Sequence, residues 1–116
     1  MSESPAPGME RLTLVLLRRP DDATDYPEEE LERIQAAHIA FLDEQRDRGV
    51  LAAAGPFRDH EDESLRGLCV CRTGVEETRA IVANDPTLRA NRMTGEVVTW
   101  WFREGEVRVS EPEPES

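Results

Sequence analysis

Of the side chains able to do chemistry, His38 holds the most informative position. At 100° per residue on a helix spanning residues 28–48, Leu31, Ile34, Phe41, Leu42 and Gln45 fall within about a third of the circumference, with His38 near the centre of that arc. Glu28, Glu29, Glu32, Arg33, Asp43 and Glu44 point elsewhere. An imidazole has an unperturbed pKa of about 6.5, so it can take and give a proton near neutrality. On an apolar stripe it also needs a partner, because burying it unpaired costs roughly 1–3 kcal/mol. Position alone leaves two readings open: a general acid/base, or a satisfied core histidine.

The other reactive groups are less suggestive. Cys69 and Cys71 share one face of an extended strand and lack the two-residue spacing of a redox pair, so they read as core thiols. His60 lies in Arg58–Ser64 (RDHEDES), a solvated connection without ligand spacing on rigid elements, and no metal site is expected there. Ser64 and Ser110 have no triad context, and no glycine-rich phosphate loop is present, so no organic cofactor is expected. All fourteen basic residues are Arg, which excludes lysine-based Schiff-base chemistry but leaves guanidinium groups to clamp a carboxylate or phosphate. A net charge of −11 argues against nucleic acid or an anionic membrane as partner. No long apolar run or signal-peptide pattern occurs, and with only two thiols the expectation is a cytoplasmic protein.

The elements that must position His38 follow from local patterning. Residues 11–18 (RLTLVLLR) read as a buried strand. Asp25 and Glu28, with Pro27 between them, resemble a capping box opening the first helix, and Gly49 ends it in a left-handed conformation. Residues 50–54 form a second strand stopped by Gly55-Pro56, and residues 65–72 (LRGLCVCR) a third. Thr73 and Glu76 suggest a second capping box, for a helix running to about Asn84. Pro86 interrupts it, and Asp85 can cap a short turn reaching Arg92. Residues 96–102 (EVVTWWF) are the fourth strand. The ends are rich in Pro, Ser and Glu, so a disordered segment is expected over residues 1–9, one domain over 10–104 and an acidic tail over 105–116.

The order β-α-β-β-α-β predicts an α+β, ferredoxin-like protomer: a four-stranded antiparallel sheet with both helices on one face. The strands are apolar on both faces: Leu12, Leu14 and Leu16 oppose Val15 and Leu17, and Val98, Trp100 and Phe102 oppose Val97 and Trp101. One Trp is expected in the helix-side core, and the other on the open face of the sheet or lining a pocket. An apolar open face of that extent predicts a homodimer packed sheet to sheet.

Four segments in this order resemble the YciI-like (YCII-related) family: Ala37-His38-Ile39-Ala40-Phe41-Leu42, residues 49–56 ending in Gly55-Pro56, Gly67 opening the third strand, and Asp85-Pro86 after the second helix. The likeness spans about residues 10–104. It implies a dimeric α+β barrel, and an active site made of the His in the Ala-His segment and the Asp of Asp-Pro, here His38 and Asp85. Thr87 and Asn91 stand where members often carry an aromatic residue and a glycine, which alters the shape of the pocket. Similar barrels, such as muconolactone isomerase, act on small acidic ring metabolites.

In that arrangement Asp85 fixes the imidazole tautomer and His38 moves the proton. Gly55, Pro56 and Phe57 read either as a rigid edge of a substrate pocket, with Phe57 against a ring, or as a plain strand terminator. The leading expectation is a cofactor-independent lyase, isomerase or hydrolase acting on a small carboxylated or cyclic metabolite, with Arg89 or Arg92 as anion clamp. The alternative is a non-catalytic dimeric ligand-binding or accessory domain with a structural His38–Asp85 pair.

Overall fold

The computed structural model describes residues 4–110. Its elements run β1 (Met9–Arg18), α1 (Glu28–Asp47), β2 (Leu51–Pro56), β3 (Leu65–Cys71), α2 (Val75–Val82), α3 (Pro86–Arg89) and β4 (Thr94–Arg103). The sheet is fully antiparallel in the order β2-β3-β1-β4. This is the ferredoxin-like α+β arrangement, with one short helix added between α2 and β4. The ends expected to be unstructured fall partly at 1–3 and 111–116, outside the described residues; 4–8 and 104–110 carry no helix or strand. Met9, by contrast, already pairs with Arg103.

Strand β1 is central, which explains its nearly unbroken apolar run. Val15, Leu17, Cys69 and Cys71 point to the helices and form the core with Leu42, Leu51 and Val82. Thr13 is fully buried, and its hydroxyl donates to the carbonyl of Thr73, which also accepts from Arg11 at 3.0 Å. On the open face Leu14, Leu16, Leu68, Val70 and Val98 are half-buried, while Trp100 is 39% exposed and packs on Phe102 with ring centroids 5.0 Å apart.

Three local expectations differ from what forms. Pro27 occupies the N-cap of α1 and Gly74 that of α2; neither has a side-chain oxygen, so both capping boxes are replaced. The Thr73 hydroxyl instead pairs with that of Thr78 at 2.6 Å. Neither tryptophan joins the helix-side core: Trp101 is on that side but 47% exposed. Helices α2 and α3 pack on β4 at Gly95, beside Val82 and Leu88. Trp101 lies six residues farther along, about 20 Å, beyond their cover. No helix among the described residues is long and apolar enough to cross a membrane.

Candidate functional site

Helix α1 carries His38 at its middle, facing the sheet with Leu42 and Gln45, and Gly49 (φ 77°) ends the helix and turns the chain into β2. From the other side comes Asp85, N-cap of α3, held extended (φ −62°, ψ 127°) just before Pro86. The two meet in the interior: His38 is 6% and Asp85 2% exposed. His38 Nδ1 lies 2.9 Å from Asp85 Oδ2 and 3.0 Å from Oδ1. Oδ1 also accepts from the Thr87 amide at 2.9 Å and from the Thr87 hydroxyl at 2.8 Å. The capping role of Asp85 and its contact with His38 therefore coexist in one carboxylate. Thr87 is buried, and its two bonds lock that carboxylate in place.

A carboxylate only accepts, so Nδ1 is the donor in this contact, and in the neutral form of the ring Nε2 keeps its lone pair. Nε2 makes no hydrogen bond to the protein among the described residues, yet it is not sealed. His38 borders a hollow of about 410 Å³ whose walls include Leu17, Gln35, Ile39, Gly55, Pro56, Gly67 and Arg66. That volume suits a small-molecule site, and the lining is apolar with a few polar groups, as such sites generally are.

Of the residues expected at a pocket edge, Gly55 and Pro56 line this hollow and Phe57 does not. The chain leaves the sheet toward Asp59, which has φ 58°, and the Phe57 ring meets His60 edge-on at 6.3 Å beside a separate surface hollow. Arg92 lines an adjoining hollow, whereas Arg89, exposed on α3, lines neither. Arg19 and Arg66 border that adjoining hollow too and were not anticipated. Nothing in the local sequence brings residues 19, 66 and 92 together; only the strand order does.

Cys69 also lines the His38 hollow, but its thiol is pushed up to about 12 by burial, then by the neighbouring Cys71 and Asp85. Burial pushes Cys71 up to about 11. Both thiols are therefore protonated and poorly nucleophilic at neutral pH. In the unfolded chain they ionise near 8.5, so the unfolded state loses protons first as pH rises. Stability should be unaffected below about pH 8 and fall above it, by at most ~1.4 kcal/mol per pH unit per thiol until the folded values are reached. Urea denaturation at pH 8 and pH 10 checks this: Cys69→Ala/Cys71→Ala should flatten the alkaline loss, and iodoacetamide should label the native protein slowly at pH 8.

No curated relative matches the chain in sequence. Among solved structures, a 5-chloro-2-hydroxyhydroquinone dehydrochlorinase from Burkholderia phenoliruptrix, in complex with 2,5-dihydroxybenzoquinone, is similar at TM-score 0.50 and 23% identity, covering 77% of this chain and 92% of that one. A dimeric ferredoxin-like protein of unknown function from Thermobifida fusca aligns at 0.39 and 18%, covering 84% of this chain and 92% of its own. A cofactor-independent oxygenase from Streptomyces nogalater aligns at 0.41 and 16%, covering 84% and 95%. The first of these likenesses supports the fold. The YCII-related domain model matches residues 12–101, from the core of β1 almost to the end of β4, and the chain belongs to that family.

Proposed function

We propose that the protein is a cofactor-independent enzyme that moves a proton on a small carboxylated or cyclic metabolite, with His38 as general acid/base and Asp85 as its positioning partner. One observation carries this reading: a buried imidazole bonded through Nδ1 to a fixed carboxylate, at the wall of a hollow of about 410 Å³. In the proposed step Nε2 accepts a proton from substrate carbon or oxygen, and the bonding pair left behind shifts into the substrate's π system. The imidazolium is stabilised by the Asp85 carboxylate. The same proton then returns to a different substrate atom, which is isomerisation, or goes to a departing group, which is elimination. Gly55 and Pro56 form a rigid edge of the space. By its name, the dehydrochlorinase of similar fold acts on a small ring compound, so the architecture accommodates such chemistry.

The test is a screen of purified protein against ring-cleavage metabolites and small cyclic acids, with His38→Gln as control. Turnover present in the native protein and lost in the variant supports the reading. The same screen with equal turnover in both removes His38 from the chemistry. A second reading, a non-catalytic ligand-binding module, draws on the structural duty of Asp85, which caps α3 through Thr87. It requires ligands that bind without being converted.

We further infer that the open face of the sheet, centred on Leu14, Leu16, Val70 and Trp100, packs against its counterpart in a second copy. Apolar side chains there stay half-buried or exposed in the protomer, at a place where a monomer gains by being polar. Leu14→Asp/Val70→Asp should convert a dimer to a monomer in sedimentation velocity; an unchanged coefficient would remove this face from the interface.

A further inference from the structure

Three guanidinium groups converge beside the His38 hollow. Arg19 follows β1, Arg66 belongs to β3 and Arg92 follows α3, and all three line one hollow of about 320 Å³. That hollow shares Gln35, Arg66 and Met93 with the His38 hollow, so the two are parts of one cleft.

Asp and Glu number 25 against 14 basic residues, and Arg18, Arg33, Arg46 and Arg48 each pair with a carboxylate. Arg11 and Arg72 are occupied by backbone carbonyls. Among the described residues, Arg19, Arg66 and Arg92 form no ion pair with any carboxylate; Arg92 donates to the Thr24 carbonyl at 2.9 Å, which holds it in place. Arg58, Arg79, Arg89, Arg103 and Arg108 also form no ion pair among the described residues, so what sets Arg19, Arg66 and Arg92 apart is the hollow they share. The acidic neighbours are Glu28 and Glu32 on the α1 wall, and Asp21 and Glu63 on the outer side of Arg19 and Arg66. Three cations outnumber the two carboxylates, Glu28 and Glu32, that line the same hollow, and the excess positive charge favours an anion from solution. Desolvation, then the charges of Arg66 and Arg92, lower the pKa of Arg19 from its ordinary value, consistent with three cations facing one space. Guanidinium forks match the planar or tetrahedral oxygens of carboxylate and phosphate groups.

We propose that Arg19, Arg66 and Arg92 form an oxyanion-binding subsite that holds the carboxylate or phosphate of a small cyclic substrate, while the rest of that substrate reaches His38 next door. The placement of reacting atoms rests on the acid/base reading of His38; the anion subsite itself does not.

Calorimetric titration at constant ionic strength with benzoate, phenyl phosphate and neutral benzamide tests it. At least one of the two anions should bind tenfold or more tightly than benzamide, and the preferred one identifies the head group. Arg19→Gln and Arg66→Gln should each weaken that binding about tenfold, and Arg89→Gln, at an exposed arginine that lines neither hollow, should leave it within about twofold. The preferred anion should raise the melting temperature of the native protein more than that of Arg19→Gln. Equal binding of anions and benzamide, or Arg19 and Arg66 variants that bind as the native protein does, overturns the subsite. Arginine-dependent binding together with His38-independent turnover would keep the subsite and reject the acid/base reading.

Discussion

Asp85→Asn should lower turnover by about 10²–10⁴-fold, the range that positioned acid/base groups contribute, while the protein stays folded. The asparagine carbonyl can still accept from the Thr87 amide and hydroxyl, at 2.9 and 2.8 Å in the native protein, so the cap of α3 survives. Its NH₂ group would then face His38 Nδ1, which must accept rather than donate. The proton moves to Nε2, and the nitrogen facing the hollow can no longer take one from substrate. Asp85→Ala should act differently. It removes the cap, worth about 1 kcal/mol, and strands the buried imidazole N–H and Thr87 hydroxyl at roughly 1–3 kcal/mol each. A loss of about 3–7 kcal/mol in urea denaturation is expected, a large share of the stability of a domain this size. Both variants unfolding alike, or Asp85→Asn turning over substrate normally, would leave the pair a structural device only.

Gly67→Ala should destabilise by about 1–3 kcal/mol and distort the wall of the His38 hollow. A Cβ at Gly67 would lie 2.9 Å from the Gly55 carbonyl oxygen and 3.5 Å from Pro56 Cα, both backbone atoms that cannot rotate away. Strand β2 is at the sheet edge, held on that side by β3 alone, so it yields by shifting outward. That shift moves Gly55 and Pro56, which line the hollow, away from His38. The expected signature is a raised KM together with a lower denaturation midpoint. For comparison, Gly55→Ala has open space within 4 Å and should be nearly neutral for stability. Equal stability of the two variants would show that the strands do not depend on this close approach.

Much of this architecture was legible along the chain because its causes are local. An apolar run at 11–18, the Gly49 stop and the period of β4 each act over a few residues, and the strands and the two longer helices formed within about two residues of their expected places. Gly55-Pro56, expected to stop β2, instead pairs with Leu68 and Gly67 as its last two residues, and α3 ends at Arg89, short of Arg92. The capping boxes failed for an equally local reason: the cap positions fell on Pro27, two residues past Asp25, and on Gly74, one residue past Thr73. Phe57 left the expected pocket edge because the turn at Asp59 carries its ring to His60.

By itself the sequence determined the order and type of the elements, the apolarity of both sheet faces and the placement of an imidazole on a buried helical stripe. Those follow from side-chain period and turn chemistry, which need no distant partner. The meeting of His38 with Asp85, 47 positions apart, was anticipated only through family resemblance, and of the gathered Arg19, Arg66 and Arg92 only Arg92 was anticipated, as one of two candidate anion clamps. Both depend on the sheet order β2-β3-β1-β4 and on α1 lying across from α3, relations between distant segments that packing alone decides.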